Sequence, residues 1–343
     1  VFKTTCLLCD APLEPLEDGR QGHPEAADCL VRLTDAWGVA VDEPAFAEGS
    51  GPIVASPMQF DLAFFPFVDD VLMEIFDAAG LPRLGGQSSG HGWSRFSTFQ
   101  RCPYAYKKRY VTKERPTFLV ESPSLAIGSL VHTFLAVHYI RMMDASYPLT
   151  PEQIYDQAVR KANPQFVEDS WRVFTAYRIF YIHEVVQPLA IEHDLRDPRT
   201  GESCRYDGVF FYPESIAGRP AGTYIAEHKS CSRFDGDTLE GWVNDGEVIG
   251  EVALWKKLGL DHRFGKLQGV IVNLLGKQKA PQFHRAWISP ESWQIEGHLD
   301  DLRRHDGLIQ LARSTNSFPR SRAGCISRYG RCDYFDHCAT GEG

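Results

Sequence analysis

Apolar positions recur along this chain at two periods, and the period changes with position. In "FPFVDDVLMEIFDAAGLP", Val68, Val71, Leu72, Ile75 and Phe76 fall at helical spacing, and Gly80 and Pro82 end the run. A second helix is expected over roughly 124–143. At "TPEQ" a third begins, with Thr150 as cap, Pro151 in the first turn and Gln153 completing a capping box. A long helix is expected over about 167–194. "SCRYDGVFFY" (203–212) and "GTYIAEHKS" (222–230) then read as strands joined by a Pro/Gly-rich connection. A helix near 246–258 leads to two further strands, "KLQGVIVNLL" and "QFHRAWI", and a helix over 290–315 closes the regular part. Helices before and after a run of strands predict a mixed α/β sheet. Residues 36–60 show little periodicity and read as a linker, and "LGGQSSGHG" reads as a flexible joint.

Composition adds bounds to that picture. The 343 residues exceed what one core usually supports, so a main domain with additions is expected. A net charge of −9 argues against a non-specific nucleic-acid coat protein but does not exclude a basic groove, because binding follows the local field. The longest apolar run, "SLAIGSLVHTFLAVHYI", is interrupted by His132 and His138, so no membrane span is expected. The N-terminus lacks the layout of a signal peptide, and a cytoplasmic protein is the expectation. Nine cysteines cluster toward the two ends, a distribution that favours metal binding over disulfides.

The strand "GTYIAEHKS" should be buried, yet it carries Glu227 and Lys229 two residues apart, on one side of the strand. Asp207 sits on the preceding strand. Two carboxylates that meet at the ends of adjacent strands make a hard-oxygen site suited to Mg²⁺ or Mn²⁺. Lys229 beside such an ion can orient water and stabilise charge developing on a phosphate, and His228 can add its backbone carbonyl as a ligand. The plainer alternative is an ordinary Glu227–Lys229 ion pair on an exposed edge.

Set in order along the chain, "GSLVHTFLA", Asp207 and Glu227-x-Lys229 resemble the motifs of RecB-type nucleases of the PD-(D/E)XK superfamily. The resemblance spans about residues 93–340 and implies a restriction-endonuclease-like α/β core, a mixed sheet flanked by helices. It makes His132 an additional metal ligand, with Gly128 and Ser129 allowing close approach. Cys102 upstream and Cys325, Cys332 and Cys338 at the end are similar in layout to the iron–sulfur members, the AddB nuclease domain and the CRISPR-associated RecB-like exonucleases. That layout implies a 4Fe-4S cluster on four thiolates, clipping residue 102 to residue 325. A structural zinc on the same four is the alternative, although the spacings differ from the CxxC pairs of a zinc ribbon. Glu251 and Trp255 occupy the places of the family's Gln-x-x-x-Tyr, both altered; the resemblance gives them a role in holding Lys229 or metal-bound water and in stacking on a base.

Outside the resemblance, Cys6, Cys9, His23 and Cys29 offer three sulfurs and a nitrogen, which suits a tetrahedral Zn²⁺ in a short, core-poor segment. Three parts follow: a zinc-binding module over 1–35, a linker and helix over 36–92, and a nuclease domain over 93–343. Between 95 and 115, Arg101, Lys107, Lys108 and Arg109 alternate with aromatic residues, the chemistry of single-strand binding. The resulting expectation is an Mg²⁺- or Mn²⁺-dependent DNA exonuclease acting on single-stranded or frayed ends. Two rivals remain: an end-processing subunit of a CRISPR spacer-acquisition or recombination complex, and a non-catalytic DNA-end-binding adaptor. The N-terminal module is open to a protein partner, and the resemblance allows a homo-oligomer.

Overall fold

The computed structural model describes residues 14–15, 21–22, 66–82, 84, 92–114, 122–231, 240–327, 330–335 and 338. The chain divides into two units, Val1–Gln59 and Phe60–Gly343. In the first, Glu14–Pro15 pairs antiparallel with Gln21–Gly22. Cys6, Cys9, His23 and Cys29 lie outside the described residues.

The second unit is built on a sheet of five strands in the order β1-β2-β3-β4-β5. These are β1 (Gln187–Arg196), β2 (Ser203–Tyr212), β3 (Gly222–Cys231), β4 (Leu267–Gly276) and β5 (Phe283–Ile288). Only β3 and β4 run parallel; the other neighbours are antiparallel. Ahead of the sheet come α1 (Val68–Ala78), α2 (Trp93–Arg101), α3 (Pro103–Tyr106, continued by a π turn over Lys107–Val111), α4 (Pro123–Met143), α5 (Pro151–Lys161) and α6 (Pro164–Phe180). The crossover from β3 to β4 contains α7 (Gly246–Leu258) and α8 (Asp261–Phe264), and α9 (Ser292–Ser314) follows β5.

Local sequence explains most boundaries. Thr150 and Gln153 form the reciprocal capping box that opens α5. Asp245 accepts from the Glu247 backbone N–H to start α7, and Gly259, at φ 64°, ends it in the left-handed conformation.

Two expectations need correction. The helix expected over 167–194 is instead α6, ending at Phe180, followed by strand β1 from Gln187. Pro188 would remove a helical hydrogen bond and clash with the preceding turn. At an edge strand it is tolerated, and the register shifts between Pro188 and Ala190. The second correction concerns α4, which is long and apolar enough to cross a membrane by length and composition alone. Here it is a core helix: Leu130, Val131, Phe134, Leu135 and Val137 are fully buried.

The sheet separates two cores. On one face Phe210, Tyr212, Tyr224, Ala226, Ile271 and Leu275 pack against α1, α4, α5 and α6. On the other, Tyr206, Ile225, Val270, Val272 and Leu274 pack against α7, α8 and the start of α9. The result is a three-layer arrangement with a mixed sheet in the middle. A smaller cluster joins Phe96, Phe99 and Tyr106 to Leu302 and Ile309, docking α2 and α3 on α9.

Candidate active site

The site grows out of strand register. Ile191 opposite Gly208 and His193 opposite Tyr206 set Glu192 level with Asp207. Gly208 opposite Ala226 is the last ladder pair of β2 with β3, so Asp207 and Glu227 come level one step further on. Three carboxylates therefore form a row across three strands, at the point where β2 and β3 cease to pair. With no backbone acceptor there, the His228 N–H donates to the Asp207 carboxylate, Oδ2, at 2.7 Å. The same oxygen lies 3.5 Å from His132 Nδ1 on α4. Gly128 brings α4 this close: a Cβ at that position would stand 3.2 Å from the Ser230 hydroxyl on β3.

Lys229 Nζ pairs with Glu227 Oε1 and, at 2.9 Å, with Glu247 Oε2 on α7. It lies 5.8 Å from the centre of the Trp242 ring. Glu192 pairs with Arg205, Nε to Oε2 at 2.9 Å, and holds φ 47° within a strand, a conformation that costs energy for a residue with a side chain. A cavity of about 250 Å³ opens beside His132, Glu192, Arg205, Asp207 and Ser230. A second of about 130 Å³ is lined by Arg205, Glu247 and Glu251, so Arg205 borders both.

Electrostatics shows a shortage of positive charge. Burial, then repulsion from Asp207, pushes the Glu227 carboxyl up to about 8 against the pull of Lys229. Burial and Asp207 likewise raise Glu192 to about 7, opposed by Arg205 and His132. Burial would raise Asp207 too, but the charge and hydrogen bond of His132 outweigh it and hold that carboxyl below its usual range. Glu251 is driven well above the carboxylate range by burial and by Glu227 and Glu247, and its Oε2 has no hydrogen-bond partner among the described residues. Among the described residues no three His, Cys, Asp or Glu side chains already converge as a metal cage. The donors nonetheless fit a hard divalent cation in kind: two level carboxylates and an imidazole, with more negative charge than the protein's own cations offset.

Three sequence expectations meet a different environment. Trp255 is 1% exposed, packs on Tyr206 and Phe264 and donates its indole N–H to Asp261, so it cannot stack on a base. Glu251 is 3% exposed, and it is Glu247, one turn earlier, that holds Lys229. Lys108 is buried and paired with Glu114 at 2.8 Å, which takes it out of a phosphate-binding surface. The His228 ring, by contrast, points to the opposite sheet face from Glu227, and its backbone is the part that the sequence reading offered to a metal. Arg101 and Arg109 are exposed on the α2–α3 segment, and Lys107 is half-buried, 5.6 Å from the Phe318 ring centre.

The chain brings its distant cysteines into one neighbourhood. Cys102 packs in a cluster with Tyr104, Tyr334, Cys332 and Cys338. The Ser321 N–H points at Cys102 Sγ at 3.4 Å, Cys325 Sγ reaches the Ser321 carbonyl at 3.7 Å, and the Cys332 N–H donates to the Cys325 carbonyl. All four are free thiols.

Residues 93–207 match the model of the PD-(D/E)XK nuclease superfamily. The matched stretch carries His132 and Asp207 and stops at the latter. Beyond it, β3 places Glu227 and Lys229 against the end of the match. A solved structure from Eubacterium rectale, described as a "putative exonuclease", shares 11% identity, with a TM-score of 0.42 over 73% of this chain and 86% of that one. No curated protein matches the sequence.

Sequence reasoning missed Glu192, Arg205 and Glu247. Glu192 was hidden because its strand was read as helix. Glu247 carried a usable signal, an acidic residue in the first turn of a helix that follows the lysine strand.

Proposed function

We propose that this protein is a divalent-metal-dependent deoxyribonuclease, an exonuclease acting on single-stranded or frayed DNA ends. The observation that carries the reading is the row of carboxylates, Glu227 buried and Glu192 and Asp207 half-buried, flanked by His132 and Lys229 at the splayed end of β2 and β3. His132, Asp207, Glu227 and the His228 carbonyl would hold Mg²⁺ or Mn²⁺. Such an ion, when bound, neutralises charge on a phosphodiester and acidifies water.

The chain's own groups divide the remaining work. The His228 N–H and His132 orient Asp207. Lys229, kept cationic between Glu227 and Glu247, is placed to hold the attacking water and to offset charge on the phosphate. Arg205, half-exposed beside the larger cavity, offers a guanidinium for a DNA phosphate. Arg101, Lys107 and Arg109 extend a basic surface for the strand.

The gathering of Cys102, Cys325, Cys332 and Cys338 supports a 4Fe-4S cluster that closes the domain; anaerobically purified protein should then carry roughly four irons per chain. Cys6, Cys9, His23 and Cys29 are proposed to bind zinc in a module that serves a protein contact.

The test is cleavage of end-labelled linear and circular single-stranded DNA with Mn²⁺, Mg²⁺ or EDTA. Metal-dependent loss of the linear strand alone is expected. Cutting of the circle would make the enzyme an endonuclease. No cutting with any metal would overturn the reading, and cutting only beside an integrase or helicase would assign the protein to a spacer-acquisition or recombination complex.

A further inference from the structure

One step along β3 from Glu227, a second polar row crosses the sheet on the face that α4 and α6 cover, opposite the Glu227 side chain. His228 on β3 is level with Asn273 on β4, and Asn273 with Arg285 on β5. Much of this face is apolar, and His228 and Asn273 are 3% and 1% exposed. Polar groups so placed are costly unless satisfied, and an apolar row of equal volume would serve stability as well or better. Here the row is satisfied link by link. Arg285 donates through Nε to Asn273 Oδ1 at 2.5 Å, and through both terminal nitrogens to Glu184, between α6 and β1. One of those nitrogens also reaches the Tyr177 hydroxyl at 3.2 Å, and the Tyr212 hydroxyl donates to Glu184 at 3.0 Å.

That anchoring gives the row a direction. Because Asn273 Oδ1 accepts from Arg285, its amide N–H₂ faces His228 Nδ1 at 3.2 Å and donates to it. Nδ1 is thereby an acceptor, and the ring proton of neutral His228 sits on Nε2. The ring stacks on Tyr139 with an interplanar angle of 6° and meets His132 edge-on, 6.0 Å between centres. The backbone N–H of the same residue holds Asp207, and its chain neighbours are Glu227 and Lys229. Fixing the His228 ring therefore fixes the strand at the level where it no longer has a ladder partner on β2.

We propose that the row Glu184–Arg285–Asn273–His228 is a positioning device for the catalytic centre, with Asn273 the positioning residue that locks His228 and, through it, Asp207, Glu227 and His132. This inference rests on the metal-dependent reading above. Groups that orient metal ligands from behind commonly account for 10- to 100-fold in metal affinity.

The decisive comparison is Mn²⁺ binding by calorimetry, with DNA cleavage measured across a Mn²⁺ series, for the wild-type chain and Asn273→Leu. Arg285 keeps Glu184 and Tyr177 in that variant, so the fold is expected to survive. The expected result is a Mn²⁺ dissociation constant raised about tenfold or more, with the cleavage rate largely recovered at saturating Mn²⁺. A purely structural role would lower the melting temperature and leave the Mn²⁺ constant unchanged, which would overturn the proposal. Glu184→Gln, which keeps shape and weakens the anchor, is the second variant should Asn273→Leu not fold; it should raise the same constant by a smaller factor, and no rise would equally overturn the proposal. If the wild-type chain itself binds no Mn²⁺ and cuts nothing, the nuclease reading fails, an outcome distinct from equal binding by wild type and variant.

Discussion

Two polar rows cross the sheet one residue apart, and they are opposite in character. In the row His228–Asn273–Arg285 every side chain has a partner, and the charge of Arg285 is met by Glu184. In the row Glu192–Asp207–Glu227 three carboxylates face Arg205, His132 and Lys229, and Lys229 is shared with Glu247. Burial and mutual repulsion raise two of the three acids. A satisfied buried row holds a shape, whereas an under-neutralised one stores a demand for a cation. On β3 the pleat turns Glu227 and His228 to opposite faces, while Asp207 meets His132 on the α4 side that His228 shares.

The strongest way to break the comparison is through the acidic row. Asp207→Asn should lower cleavage on the order of 10³-fold, measured at saturating Mn²⁺, while the protein stays folded by circular dichroism. Next in size is the satisfied row: Glu184→Ala strands Arg285 with its charge buried and should cost about 3–5 kcal/mol in urea unfolding. If the two variants exchanged these effects, the roles assigned to the rows would be reversed.

Smaller changes sharpen the boundary between the regions. Glu251→Gln removes a buried carboxyl group whose Oε2 has no hydrogen-bond partner among the described residues; it should stabilise the chain by about 1 kcal/mol and leave the cleavage rate within about threefold. A large loss of rate there would move Glu251 into the catalytic row. Asp245→Ala, which removes the cap of α7 and loosens the helix that presents Glu247, should cost about 1 kcal/mol with a minor change in rate.

How much of this was legible in the chain depended on the kind of information each feature needs. Strands β2 and β3, the α5 capping box and the α7 boundaries follow local periodicity and cap chemistry, and the sequence reading placed them to within a residue. Strand β1 was read as helix because an edge strand with a bulge at Pro188 alternates poorly, and with it went Glu192. Asp207, Glu227 and Lys229 were visible because charges interrupt apolar strands. Asn273 and Arg285 interrupt strands in the same way, but their meaning depends on register across β3, β4 and β5, which no single segment encodes. Trp255 shows the converse error, where a position matched to a family pattern lies inside the core.

The central claim is that the acidic row is built for a divalent cation. It is tested most directly by titrating Mn²⁺ into the wild-type chain and into Glu227→Ala, following heat and melting temperature together. The account predicts that Mn²⁺ binds the wild type and raises its melting temperature, by about 2.7 kcal/mol of stability at 100 times the dissociation constant. Glu227→Ala should neither bind nor respond, while melting no lower than metal-free wild type because a repelled carboxylate is gone. Equal Mn²⁺ binding by both proteins, or a metal-free variant that is strongly destabilised, would contradict the account and return Glu227 to an ordinary ion pair with Lys229.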